Sequence, residues 1–514
     1  MISAVYVIFY WKPWSSRPVQ RLAPAPLGWP VIGHLHLLSG MMPHHALAEL
    51  AKTMHAPLLR LQLGTVRAVV ISTPDLARAA LTTNDAALAS RPHLLGGQFL
   101  AFGCSDVTFG PAGPYHRMTR RVVVSELLSA RRVATYHRIR VNEVRRLLGH
   151  LAAKSSSAAA APVVDLSECF LNLANDVLFR VAFGRGFPHD KAAKLGAVFA
   201  DANELFAGFT VGDYFPELEP FLSTVTGLRR RLNNCLADLC EFCDEIIDEL
   251  ISGKRQVSSS SGDGDEDFVD VLLRLQKSPD LDVPLTDDNI KALVLDVFVA
   301  GSDTSFAALE WVMTELVRHP SILKKAQDEV RRVVGDKGGV EEPDLRDLHY
   351  LRAVLKETFR LHPVIPLLVP RESVAPCKLG GYDVPAKTRV FINTYAMGRD
   401  PEVWDTPLEF SPERFEKDDA SREIDLVDPD FKVLPFGGGR RGCPGYVFAL
   451  ATLQLSLASL LYHFDWALPP GMRADEVDMD EIFGLSTRKK EPLLVVVSKS
   501  EGYEFKGRGE IYEV

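Results

Sequence analysis

The chain has 514 residues, 46% hydrophobic and 24% charged, with 36 Gly and 33 Pro, which is the composition of a folded protein and excludes a disordered or collagenous one. A formal net charge of -9 excludes a generally basic nucleic-acid binder, so no nucleic-acid partner is expected. Seven irregularly spaced cysteines (Cys104, Cys169, Cys235, Cys240, Cys243, Cys377, Cys443) argue against a secreted disulfide framework and for a reducing compartment.

Residues 1–11 (MISAVYVIFYW) are uncharged and apolar apart from Ser3, and basic residues follow at Lys12, Arg17 and Arg21. Eleven residues fall short of the roughly 17 that span a bilayer. Their Trp and Tyr suit a membrane interface, so the expectation is a short anchor whose positive flank keeps the rest cytosolic. Residues 12–33 form a basic hinge, with Pro24, Pro26 and Pro30 stiffening it into an extended arm. Residues 34–507 read as one domain and 508–514 as a tail. The pattern is mostly helical, with strands expected at Leu58–Leu63, Ala68–Ile71, Thr388–Ile392 and Leu493–Val497. The low-complexity runs 154–162 and 254–267 read as exposed loops. The apolar run 290–300, broken by Asp296, predicts a core helix reaching Arg318. Residues 445–464 carry no acid, Lys or Arg. They are long enough to cross a membrane, but Thr452, Gln454, Ser456, Ser459 and His463 favour a buried helix.

Two stretches invite chemistry. Cys235, Cys240 and Cys243 have iron-sulfur spacing, but they sit in a continuous helical pattern with Cys235 and Cys240 about 140° apart on the helix, so core cysteines are expected. Gly437-Gly-Gly-Arg-Arg-Gly442 formally matches the dinucleotide fingerprint, leaving a nicotinamide-dependent dehydrogenase as the rival from another class. Against it, two arginines crowd the turn, no crossover repeat surrounds it, and Pro444 stands where a first helical turn would begin. A better reading uses every residue of Phe436-Gly-Gly-Gly-Arg-Arg-Gly-Cys-Pro-Gly445. The glycines admit a flat ligand, Arg441 can meet an anionic group on it, and a thiolate at Cys443 is stabilised by the mouth of the following helix, ready to ligate a soft metal.

Phe436, Gly439, Arg441, Cys443 and Gly445 match the heme signature F-x-x-G-x-R-x-C-x-G, and the chain resembles the cytochrome P-450 family. In family order, Ala300-Gly301-Ser302-Asp303-Thr304-Ser305 resembles the oxygen-binding motif, Glu357-Thr-Phe-Arg360 the E-x-x-R pair, and Pro412-Glu-Arg414-Phe the site of its arginine partner. The resemblance implies a mainly α fold with small β-sheets around a buried heme b, in which Cys443 is the axial iron ligand. It implies that Asp303 and Thr304 move protons beside Gly301, and that Glu357, Arg360 and Arg414 form a structural charge network. Arg120, Arg371 and His116 would hold heme propionates, His116 standing where the family usually has Trp. O2 would be the co-substrate, and NADPH electrons would come from a separate NADPH-cytochrome P-450 reductase. Arg117, Arg121, Arg131, Arg132 and Arg440 offer a docking face for it.

The resemblance is closest to the plant 71-type group, from about residue 28 to 507. It includes SRPHLLGGQFLAFGCSDVTFGPAGPYHRMTRR, LFAGFTVGDYFPELEP and FGLSTRKKEPL. It implies a monomer on the endoplasmic reticulum membrane that hydroxylates a small aromatic amine, specifically tryptamine at its indole 5-position to give serotonin. The alternative is another indole, phenylpropanoid or terpenoid metabolite. The segments that vary within the family offer Phe102, Phe109, Phe206, Phe209, Phe298 and Phe483 as aromatic pocket walls, with Val364 and Leu368. Asp106, Glu204 and Asp213 are candidate partners for an amine.

Overall fold

The computed structural model describes residues 21–156, 162–184, 186–251, 268–278, 281–416, 429–503 and 505. The 1–11 anchor, Lys12 and Arg17, and most of the two low-complexity runs lie outside these residues.

One helix organises the molecule. Asp287–Arg318 is about 48 Å long at 1.5 Å per residue. It starts at a reciprocal cap: Asn289 N donates to Thr286 Oγ1 (3.2 Å) and Thr286 N to Asn289 Oδ1 (3.0 Å). From Phe306 to Val317 every residue is buried, so this half is a core helix with no solvent face. It packs most extensively against Leu166–Phe183 and also contacts Tyr446–His463, the helix that opens just after Cys443. Both apolar helices are long enough to cross a membrane, but 61% and 78% of their most apolar windows are buried inside the protein. Residues 446–463 are therefore the buried helix expected from their polar content.

A four-stranded sheet lies beside the helices. Leu58–Leu63 pairs antiparallel with Val66–Ile71, which runs parallel to Arg389–Ile392, and Arg371–Glu372 forms the edge. Leu494–Lys499 pairs with Val163–Asp165 and Phe464–Ala467 in a second sheet. The four expected strands are present to within a few residues, whereas the two- and three-residue strands gave no sequence signal. The described part of the hinge, residues 21–33, runs against the first sheet: Arg60 N donates to Pro24 O (2.8 Å), and Gly33 bridges to Leu63. Cys235 and Cys243 are buried on the helix Leu228–Ile251, and burial pushes both thiols up, Cys235 to about 12. They are core cysteines.

Candidate active site

A cavity lies between the central helix, the start of the Tyr446–His463 helix and the loop Arg91–Phe109. Its floor is the cysteine turn. Cys443 N donates to Phe436 O (2.9 Å) and closes the loop, while Gly437 and Gly439 adopt left-handed φ of 65° and 64°. A Cβ on Gly439 would lie 2.5 Å from Asp85 Oδ1 and 2.6 Å from Leu81 O, so the position requires glycine for space as well as for backbone conformation. Cys443 opens onto the cavity. Burial pushes its thiol up, and the Gly445 N–H and the Arg120 guanidinium oppose that shift. Phe436 and Gly445 also line the floor. The glycine-rich turn follows irregular chain and contains only a short 3-10 turn, Gly439–Arg441, so the strand that a dinucleotide fold places before this motif is missing.

Four guanidiniums converge on the cavity wall. Arg120 Nη2 donates to Gly442 O (2.6 Å). Arg371 Nη1 meets Asp85 Oδ1 (2.8 Å) and its Nη2 donates to Gly438 O (2.6 Å). Arg441 donates to Ala89 O (2.7 Å) and Gly110 O (2.7 Å). Arg91, which the sequence gave no reason to single out, donates to Thr108 O (2.9 Å), Pro370 O (2.9 Å) and Val369 O. Burial lowers the proton affinity of all four, and repulsion by neighbouring guanidiniums adds to it at Arg91, Arg371 and Arg441, the last lowered to about 10. Among the described residues, only Asp85 forms a direct ion pair with a member of the group. A concentration of buried positive charge on an enclosed wall is the environment an anionic ligand needs.

His116 is buried behind this wall and does not face the cavity. Its Nε2 accepts from Arg441 Nη1 (2.6 Å), and its ring also bonds the Val107 backbone. Burial, then Arg441 and Arg120, push its imidazole down to about 3. The neutral ring orients Arg441 and has no N–H to spare for a propionate, which corrects the direct role expected for it.

Opposite the cysteine, the central helix presents Gly301, Asp303 and Thr304 to the cavity. A Cβ on Gly301 would press on Leu178 at 3.0 Å. Thr304 Oγ1 donates to Ala300 O (2.6 Å). Asp303 accepts from the Ser486 hydroxyl and lies 3.7 Å from Arg488 Nη1, and burial raises its proton affinity.

Of the expected pocket residues, Asp106, Phe109, Phe206, Val364 and Leu368 line the cavity. Phe109 and Phe206 stack with ring centres 4.9 Å apart. The others lie elsewhere. Phe298 is 0% exposed and locked among Phe179, Phe183, Phe187, Phe199 and Phe242. Phe209 and Phe483 pack on each other, 5.7 Å apart, and Phe209 also packs on Phe391 of the sheet. Phe102 packs at the edge of the helical core. Asp213 is a cap, accepting from Leu95 N (2.8 Å) and Thr210 N (2.9 Å). Glu204 pairs with Arg231 (2.7 Å) near the surface. An acid that sequence reasoning treated only as a break in an apolar run joins Asp106 in the cavity. Asp296 accepts from Val107 N (3.0 Å), Thr108 N (3.2 Å) and Thr108 Oγ1 (2.6 Å). Burial raises the proton affinity of Asp296, and these three bonds oppose that shift; burial, then the neighbouring Asp296, push Asp106 well up.

Outside the cavity, Glu357 receives Arg360 through Nε (2.7 Å) and Nη2 (2.8 Å), and Arg414 through Nε (2.9 Å). The remaining Arg360 protons go to Gly398 O (2.5 Å), Pro407 O (2.6 Å) and Glu409 O (2.9 Å).

The cytochrome P450 family profile matches residues 23–496, and the chain belongs to that family. Among curated relatives, tryptamine 5-hydroxylase of Oryza sativa subsp. japonica is 74% identical over 100% of this chain and 97% of that protein. Cytochrome P450 71AP13 of Prunus mume is 43% identical over 95% of this chain and 92% of its own. A solved zebra fish cytochrome P450 with progesterone superposes with a TM-score of 0.73 at 25% identity, covering 89% of this chain and 100% of that one. The protein is a heme-thiolate monooxygenase using O2 and NADPH-derived electrons supplied by a reductase, and the dehydrogenase alternative falls. The residues of the cavity fit a heme: a thiol on the floor, glycines that leave room for a flat ring, and a wall of cations for its carboxylates.

Proposed function

We propose that the chain hydroxylates tryptamine at the indole 5-position, giving serotonin, on the cytosolic face of the endoplasmic reticulum membrane. The observation that carries this reading is the full-length 74% identity to an enzyme of that name. The stacked Phe109–Phe206 pair supports it with a flat apolar wall suited to an indole. Asp106, beside Asp296, supplies the carboxyl chemistry for the protonated tail.

Cys443 would hold the iron, and Arg120, Arg371 and Arg441 would hold the propionates, with Arg441 oriented by His116. The heme, when bound, activates O2, and the thiolate favours O–O cleavage. The chain's own residues prepare the site. The apolar lining excludes bulk water. Asp303, with its raised proton affinity, holds a proton at the central helix. Thr304 Oγ1 donates its own proton to Ala300 O, so its lone pairs are left to accept a hydrogen bond at the cavity face. Glu357, Arg360 and Arg414 hold the segment 398–414 against the helix His349–Leu361.

Arg117, Arg121, Arg131 and Arg440 are exposed, and Arg132 is half-buried. This basic set suits docking of an acidic flavoprotein domain. Incubating the heme-loaded enzyme with tryptamine, reductase and NADPH yields serotonin by product analysis; its absence overturns the substrate assignment.

A further inference from the structure

The hairpin Glu481–Lys489 carries a turn that reaches into the cavity. Strand Glu481–Ile482 pairs with Arg488–Lys489, and between them Leu485 and Ser486 line the cavity beside Asn203 and Asp303. The turn is clamped onto Asn203: Leu485 N donates to Asn203 O (2.9 Å), Ser486 N to Asn203 Oδ1 (2.9 Å), and Asn203 Nδ2 to Ser486 O (3.1 Å). A Cβ on Gly484 would fall 2.4 Å from Asn203 Nδ2, so only glycine permits this approach. On its other side the turn is tied down where Thr487 N donates to Val364 O (2.7 Å). The Ser486 hydroxyl then faces two acceptors, Asp303 Oδ2 and Asn203 Oδ1, the latter at 3.2 Å. A hydroxyl has one proton to donate, so it serves the carboxylate or the amide at any moment. The bond to Asp303 is the stronger, charge-assisted one whenever that carboxyl has given up its proton.

We infer that Ser486 is a positioning residue that holds the Asp303 carboxylate for proton delivery. The inference rests on the reading of Asp303 as a proton-relay acid. With Oδ2 fixed by Ser486, Oδ1 is the oxygen left to exchange a proton, and Arg488 Nη1, 3.7 Å from it, is the cation that faces it. Losing the hydroxyl frees the carboxylate to turn toward Arg488 and lowers the fraction of time it is oriented toward the cavity.

The test compares heme-loaded wild type, Ser486→Ala, Ser486→Thr, Asp303→Asn and the double variant, reading product formed per NADPH, peroxide released and the spectral dissociation constant for tryptamine. Ser486→Ala is expected to lower coupling roughly fivefold and raise peroxide while substrate affinity changes less than about twofold, because the loss falls on a step after binding. Ser486→Thr restores coupling, and the double variant is no worse than Asp303→Asn. Normal coupling in Ser486→Ala alongside uncoupled Asp303→Asn overturns the positioning role and leaves the relay reading standing. Normal coupling in Asp303→Asn overturns the relay reading itself. A defect in Ser486→Ala that threonine does not rescue, or that adds to Asp303→Asn, also overturns the proposal.

Discussion

Two sets of buried arginines come within 11 residues of each other in the chain, at Arg360 and Arg371, and do opposite things with their charge. Around Glu357, two guanidiniums close on one carboxylate that is 0% exposed, and the spare protons of Arg360 go to backbone carbonyls. Around the cysteine turn, Arg91, Arg120, Arg371 and Arg441 crowd together, repel one another and have in Asp85 the single directly paired carboxylate among the described residues. The first set is self-contained and belongs to the fold. The second has surplus positive charge facing an enclosed space and belongs to a ligand. Buried charge alone does not mark a site; its balance does.

Breaking the first set has the largest expected effect. Glu357→Ala leaves two buried cations without their carboxylate, a loss of about 3–5 kcal/mol, and expression with heme incorporation is expected to collapse; a stable, heme-loaded Glu357→Ala protein contradicts the structural role. Cys443→Ala comes next. The chain folds, but the thiolate-heme band of the reduced, carbon monoxide-treated protein and all hydroxylation disappear, and survival of that band refutes Cys443 as the ligand. Arg371→Leu removes one wall cation and frees Asp85, so heme is retained less tightly and transfers faster to apomyoglobin, by about tenfold for each 1.4 kcal/mol lost; wild-type retention breaks the contrast between the two sets. Smallest is Arg440→Glu, on an exposed side chain (68%). It is expected to slow reduction by the reductase at low salt and to leave tryptamine affinity unchanged; identical reduction rates remove Arg440 from the docking face.

The difference between the two sets also explains what the sequence could disclose. The cysteine turn was legible because its function is written in residue types with few substitutes: Gly439 for a left-handed turn against Asp85, Cys443 for a ligand, Arg441 for an anion. The central helix was legible from its apolar run, and its polar interruption at Asp296 was visible as a fact without a reason. That reason is a loop nearly 190 residues away, whose Val107 and Thr108 amides donate to the carboxylate, and no local pattern encodes such a partner. The aromatic residues failed in the same way. Phe298 and Phe109 look alike in sequence, but one is sealed among five rings and the other lines the cavity, because the rotation of the central helix and the path of the loop that carries Phe109 are set by all their neighbours together. His116 and Asp213 show the complementary limit: a polar residue near a site can be spent on orienting an arginine or capping a turn.

The Pro-rich arm has a mechanical consequence. Because Pro24 and Gly33 are tied to the first sheet, and that sheet ends in the strand bearing Arg371, the arm is a strut and not a swivel. Whatever grips the chain ahead of residue 21 therefore sets the tilt of the sheet and, through it, the direction in which the cavity points.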